Sequence, residues 1–263
     1  YHGVERAYTV GSGREALYII LKSLGLAEHD EIILQSFTCM VVVNSIIWNN
    51  LKPVFCDIVV FFILDSAKLL RKITKRTKAI IVQHTFGIPA YLDTIRKICL
   101  EKGIILIEDC AHALGAEYRE RKVGTFGDFG FYSLGRSKVI SAISGGVIIC
   151  NNAKFQAALE KVYENLPDFP ISRIFQNLIH PISFSLAKAS YGWGIGKALI
   201  IIGQRFKLLN FEVTKAEKAG IQAGVFPTRL PNALAKLALI QFNLLDKFNA
   251  HRRELAKQYY EKL

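Results

Sequence analysis

Through residue 150 the chain alternates short runs that are apolar nearly throughout with longer stretches whose apolar positions recur at three and four residues. The runs "EIILQ" (31–35), "PVFCDI" (53–58), "KAIIVQH" (78–84), "IILIED" (104–109), "FGFYS" (129–133) and "GVIIC" (146–150) predict strands, several of them covered on both faces. The stretches 13–26, 39–50, 66–73 and 90–103 predict helices, the first and last ending near a glycine. Strand alternating with helix predicts an α/β fold: a three-layer α/β/α sandwich around a mostly parallel sheet, with ligands at the carboxyl ends of its strands.

The pattern changes after residue 150. Between Asp168 and Glu212 there is no acidic residue, while Arg173, Lys188, Lys197, Arg205 and Lys207 punctuate apolar runs such as "FSLAKASYGWGIGKALIII". Lys188 and Lys197 interrupt the roughly 18 apolar residues that a membrane span requires. Two readings stand for this excursion. Helices packed on the main domain or on a dimer partner are the more ordinary one; peripheral contact with an anionic membrane through 171–209 is the other. The last stretch, 230–263, reads as one long helical pattern without a C-terminal cap. The expected division is a large domain over 1–225, carrying the excursion at about 168–212, and a helix over 226–263 leading toward a further domain.

Composition narrows the picture. With 263 residues, 51% of them hydrophobic, the chain can bury a large core, which excludes a disordered polypeptide. A formal charge of +12 suits an anionic partner. No nucleic-acid motif accompanies the charge, so a phosphorylated small molecule or a membrane surface is expected ahead of nucleic acid. The five cysteines are scattered, with neither a CxxC pair nor a Cys/His cluster at metal-ligand spacing, so no metal site is expected. Their dispersal suits a reducing compartment, and the polar opening "YHGVERAYTV" lacks the apolar core of a signal peptide; a cytoplasmic location is expected.

Three segments offer chemistry. "GSGREAL" (11–17) sets two glycines before an amphipathic helix, where backbone N–H groups and the helix dipole can meet a phosphate. It also fits the GxGxxA dinucleotide pattern, but that pattern wants an acid after the second strand, and Asp30 and Glu31 come before it. An ordinary glycine turn is an equally good reading of this segment alone. "LIEDCAH" (106–112) ends an apolar run on Glu108 and Asp109, and a carboxylate at the end of a buried strand needs a cation or several donors. His112, taken alone, is an ordinary structural histidine. Lys138 follows Asp109 by 29 positions and lies past a strand that ends at Ser133. A single lysine is ordinarily solvated, yet one in a partly desolvated pocket can capture a carbonyl cofactor. Pyridoxal phosphate (PLP) needs an amine, a carboxylate for its pyridinium nitrogen and a phosphate cradle. Lys138, Asp109 and the Gly11–Arg14 turn, helped by Ser133, supply all three.

These segments occur in the order found in the DegT/DnrJ/EryC1/StrS family, fold-type I PLP enzymes that mostly aminate nucleotide-linked keto sugars, and the chain resembles that family. "GSGREAL" sits where the family has its SGTxAL turn; "TKAIIVQHTFGIPAYLD" resembles its HxxGxPxDxD region, and "IEDCAHALGAEYRERKVGTFGDFGFYSLGRSK" its EDxAQxxGA segment through to the PLP lysine. "RLPNALAKLALIQFNLLDKF" is similar to its RMxExxAAxGxxQL helix. The resemblance implies PLP as cofactor, with Lys138 as its covalent attachment point and proton shuttle, and Asp109 as partner of the pyridinium. It further implies phosphate contacts from Gly13, Arg14 and Ser133, with His112 and Cys39 also against the cofactor. An amino-acid donor such as glutamate, a nucleotide-sugar acceptor for cell-surface polysaccharide synthesis and a homodimer are implied as well, as is a C-terminal small domain that is largely missing here.

The departures define the alternative. His112 stands for the family's glutamine, Arg14 for a threonine or serine, Cys39 for an aromatic that stacks on the ring, and Pro227 for the asparagine of an NYR motif. Phe37 is the neighbour that could replace the aromatic. A truncated or degenerate relative, noncatalytic and acting as a binding or assembly partner, is the reading these substitutions leave open.

Overall fold

A computed structural model of the chain describes residues 1–205, 209, 211, 213–222 and 224–263. Lys207 and Glu212, which belong to the basic excursion and its boundary, lie outside the described residues. Seven strands form one sheet: β1 (Ala7–Val10), β2 (Glu31–Gln35), β3 (Lys52–Cys56), β4 (Thr77–Gln83), β5 (Ile105–Asp109), β8 (Phe129–Ser133) and β9 (Gly146–Cys150). The short pair β6 (Glu117–Tyr118) and β7 (Arg121–Lys122) makes a separate hairpin. The sheet order is β1-β9-β8-β5-β4-β2-β3. Pairing is parallel from β3 through to β8, and β9 runs antiparallel to both of its neighbours.

Period-two alternation sends neighbouring residues of each strand to opposite faces. Ile33, Ile80, Val82 and Leu106 enter one core, packed under α3 (Ser66–Lys72) and α4 (Leu92–Lys102). Ile32, Leu34, Ala79, Ile81 and Ile107 enter the other, under α1 (Gly13–Ser23), α2 (Met40–Ile47) and α5 (Ala153–Glu164). The expected three-layer sandwich with a mostly parallel sheet is therefore present. α4 stops where Gly103 adopts the left-handed conformation at φ 64°, which a glycine enters without the steric cost of a Cβ.

Several expected boundaries need correction, and one strand, β1, is not among those expected at all. β1 escapes the apolar-run criterion because it is an edge strand of four residues with only Tyr8 and Val10 buried. The strand expected at 53–58 begins and ends earlier, at Lys52–Cys56. The terminal pattern is two helices, α9 (Asn232–Phe242) and α10 (Leu245–Lys262), interrupted at Asn243–Leu244. On either side of the break Leu234 and Leu245 are buried, and Phe248 packs against the α3/α4 core. The start of the 226–263 segment is thus docked on the main body.

The excursion is helical: α6 (Ile171–Ala189), a single turn at Tyr191–Trp193, α7 (Ile195–Arg205) and the short α8 (Lys215–Lys218). Among the described residues no helix is long and apolar enough to cross a membrane.

Candidate active site

Parallel pairing brings the ends of adjacent strands together. Gln83 of β4 lies beside Asp109 of β5, and Ser133 closes the next strand, β8. Above these ends opens a cavity of about 580 Å³. Gly13, Arg14, Cys39, Asp109, His112, Ser133 and Lys138, the residues picked out from sequence, all line it.

Asp109 is buried, and its Oδ1 accepts the Ala111 N–H at 2.9 Å. Burial pushes its carboxyl above the usual range, while the Ala111 N–H, Lys138 and His84 pull it back. Such a group gains from a further positive charge placed against it. Lys138 is half-buried on the turn after β8, where its N–H donates to the Gly135 carbonyl at 3.2 Å. Burial, with the Lys138 charge adding to it, lowers the pKa of His112, so the imidazole stays neutral further into acid than a free histidine. Its Nδ1 is buried without a hydrogen-bond partner among the described residues. On its other side the ring lies parallel to Phe86, with centroids 6.0 Å apart.

Directly behind Asp109 is a network with no solvent exposure. Glu108 accepts the N–H groups of Gly124, Phe126 and Gly127 at 2.6–2.7 Å and meets His84 Nε2 at 3.0 Å. Ala90 donates its N–H to His84 Nδ1 at 3.2 Å, so that nitrogen accepts and Nε2 carries the proton to Glu108. His84, Glu108 and Cys110 converge closely enough to hold a metal ion, but the donors just named already occupy Glu108. His84 also donates its backbone N–H to the Asp109 carbonyl at 3.0 Å, which ties this network to the site.

The glycine turn forms the opposite wall. Ser12 caps α1, its hydroxyl accepting the Glu15 N–H. A Cβ added at Gly13 would lie 2.8 Å from the Ser133 Cβ, and one at Gly146 only 2.4 Å from the Ser12 carbonyl oxygen. Both positions exclude a side chain, because the helix start is pressed between the ends of β8 and β9. Ser144 reinforces the contact by donating to the Gly11 carbonyl at 2.5 Å.

Arg14 pairs with Glu217 of α8. Burial pushes Glu217 up, but the Thr214 N–H and the Arg14 charge outweigh it and hold the carboxyl below its usual range. The segment around α8 is strapped to α2 by Asn44, whose Nδ2 donates to the Glu217 carbonyl at 2.7 Å, and by Trp48, whose Nε1 donates to the Gly220 carbonyl at 2.7 Å. Pro227 lies beside Thr228, whose N–H and hydroxyl both donate to the buried Glu15 carboxylate.

Cys39 is exposed at the start of α2 and makes no side-chain cap bond. Phe37 does not line the cavity; it packs on Phe62 at 4.7 Å in an exposed aromatic cluster with Phe86. Sequence reasoning missed Gln83, Arg136, Arg173, Asn177 and Glu217, all of which line the cavity. Gln83 carried a readable signal, a polar residue ending an apolar strand, the same one that singled out Asp109. Arg173, Asn177 and Glu217 carried none, since only folding returns α6 and α8 to the strand ends.

Known proteins resemble this chain in sequence and in fold. The model of the DegT/DnrJ/EryC1/StrS aminotransferase family matches residues 1–166, and so stops short of the terminal helices. Over 150 residues the chain is 37% identical to the GDP-perosamine synthase of Vibrio cholerae, covering 57% of this chain and 41% of that one. It is 35% identical to the UDP-N-acetyl-3-dehydro-alpha-D-glucosamine 3-aminotransferase of Acidithiobacillus ferrooxidans, covering 60% of this chain and 43% of the relative. The matched region thus spans about two fifths of these relatives' length. The structure of S. venezuelae DesV superposes with a TM-score of 0.71 at 23% identity, covering 99% of this chain and 58% of that one, which shows a shared fold. With a sandwich of this topology and a family match over residues 1–166, the chain belongs to the DegT/DnrJ/EryC1/StrS aminotransferase family.

Proposed function

We propose that this chain carries the PLP site of an aminotransferase that moves an amino group from an amino acid such as glutamate to a nucleotide-linked keto sugar. The observation that carries the reading is the convergence of Lys138, Asp109 and the Gly13–Ser133 contact on one cavity. The residues present fit the cofactor. The wall at Gly13 is free of side chain, Asp109 is a buried carboxyl short of positive charge, and His112 offers a buried nitrogen that lacks a partner.

Bound there, PLP supplies an aldehyde that an amine captures and a protonated ring that takes up the electron pair left when a neighbouring carbon loses its proton. The Asp109 carboxylate keeps the ring nitrogen protonated. The backbone N–H groups at the start of α1 and the Ser133 hydroxyl bind the phosphate, with Arg14 at the same helix end. The Lys138 amine would serve as the general base that takes the proton from the donor's α-carbon and as the general acid that gives a proton back on the cofactor side. The cavity's Arg136 and Arg173 suit the phosphates of a nucleotide sugar.

The test is incubation of the protein with PLP, borohydride reduction and peptide mapping. The expected result is a visible absorption band and a single label on Lys138. A label scattered over surface lysines, or none, overturns the reading and favours a noncatalytic relative.

The same reading includes a homodimer. Its support is the exposed aromatic cluster beside the cavity, where Phe37, Phe62 and Phe86 are each at least 43% exposed. Sedimentation velocity is expected to show a two-chain species that Phe62→Glu dissociates; a monomeric parent chain contradicts it.

A further inference from the structure

We propose that the outward face of the α6–α7 pair docks on an anionic lipid surface. α6 is amphipathic in the reverse of the soluble sense. Ile171, Phe175, Leu178, Ile182 and Leu186 follow one another at spacings of four, three, four and four, which stacks them on one face of the helix. All five are exposed, Ile171 at 84% and the others between 38% and 62%. The opposite face is polar and turned inward, where Arg173, Gln176 and Asn177 line the cavity. On α7, Ile195, Leu199 and Ile202 repeat the same spacing, again exposed, while Gly196 and Gly203 form its buried side. A monomeric soluble protein rarely leaves a stripe of this size in water.

Charge selects the occupant. Between Asp168 and Glu212 no acid offsets the basic residues, and Lys188, Lys197 and Arg205 are exposed. Long basic side chains can lay their stems along an apolar face and hold their charges at headgroup level. The turn between the helices presents Tyr191 and Trp193, Trp193 at 87% exposure, between Lys188 and Lys197. An aromatic pair flanked by lysines is suited to the membrane–water interface. A second copy of this chain is a poorer occupant. A two-fold contact would set the same acid-free basic patch against itself, like charge against like. Since no described helix is long and apolar enough to span, the mode is interfacial, with the helices lying in the surface.

The experiment is co-sedimentation of the full chain with vesicles of phosphatidylcholine, with and without phosphatidylserine. Binding is expected to the phosphatidylserine vesicles and to weaken by about tenfold or more at high salt or on neutral vesicles. Ile182→Asp combined with Leu199→Asp alters only exposed positions and is expected to abolish pelleting while leaving the far-UV circular dichroism unchanged. As an independent readout, quenching of tryptophan fluorescence by brominated lipid is expected in the parent chain and lost in Trp193→Phe, which leaves Trp48 in place. No pelleting above the lipid-free control, or equal pelleting of the double variant, overturns the proposal. A dimer that forms without lipid and dissociates in the double variant also overturns it, by giving this face to a second copy.

Discussion

Lys138→Ala is expected to lower amination of a keto sugar by about 10²–10⁴-fold, the range for loss of a positioned proton-transfer group. The same variant loses the borohydride-fixed label. The reason is geometric: Lys138 shares the cavity with Asp109 and His112, and its charge bears on the pKa of both. Lys138→Arg is expected to fail equally, because a guanidinium keeps the charge but does not give up a proton near neutral pH. Added small amines should restore part of the Lys138→Ala rate, which separates a lost base from a collapsed site. Steady-state amination with the parent rate retained in Lys138→Ala would sink the catalytic assignment, whatever the label shows.

Glu108→Ala is expected to produce the largest loss of stability, about 3–5 kcal/mol, as for removal of one member of a buried, fully bonded polar set. Three backbone N–H groups and His84 lose their acceptor at once, in a place with no solvent exposure. At about 2–4 °C per kcal/mol for a chain of this size, thermal melts should show a fall of roughly 6–20 °C. Glu108→Gln is expected to recover only part of the loss, since its amide sets donors against donors. A change below about 1 kcal/mol would mean that water or a rearranged loop replaces the carboxylate, and that Glu108 does not anchor the floor of the site.

How much of this was legible beforehand differs between elements for physical reasons. Strands buried on both faces announce themselves as apolar runs, so the boundaries of β2, β8 and β9 came out as observed. β1 buries two side chains and has a strand partner on one side, with a single isolated bridge to Arg229 on the other, too little signal for a pattern of four residues. The terminal helices kept a continuous periodicity through Asn243 and Leu244, residues that tolerate a helix, so the local pattern carried no sign of the break between them. Among site residues, those at strand ends or in the glycine turn could be found because their chemistry conflicts with their local setting. Asp109 is a charge at the end of an apolar run, and Gly13 is a poor helix former opening an amphipathic helix.

The sequence alone determined the layering and the mostly parallel character of the sheet, and it singled out the lysine, carboxylate and glycine turn that share one cavity, because each is written in local periodicity or in a residue at odds with its neighbours. Only the tertiary structure decided that Arg14 pairs with Glu217, that Glu108 is satisfied by three N–H groups and a histidine, and that Phe37 stands outside the cavity. It also decided which side of α6 faces water. Periodicity places the apolar stripe on one side of that helix, but which side packs depends on what the rest of the chain sets against it, and here the polar side was taken.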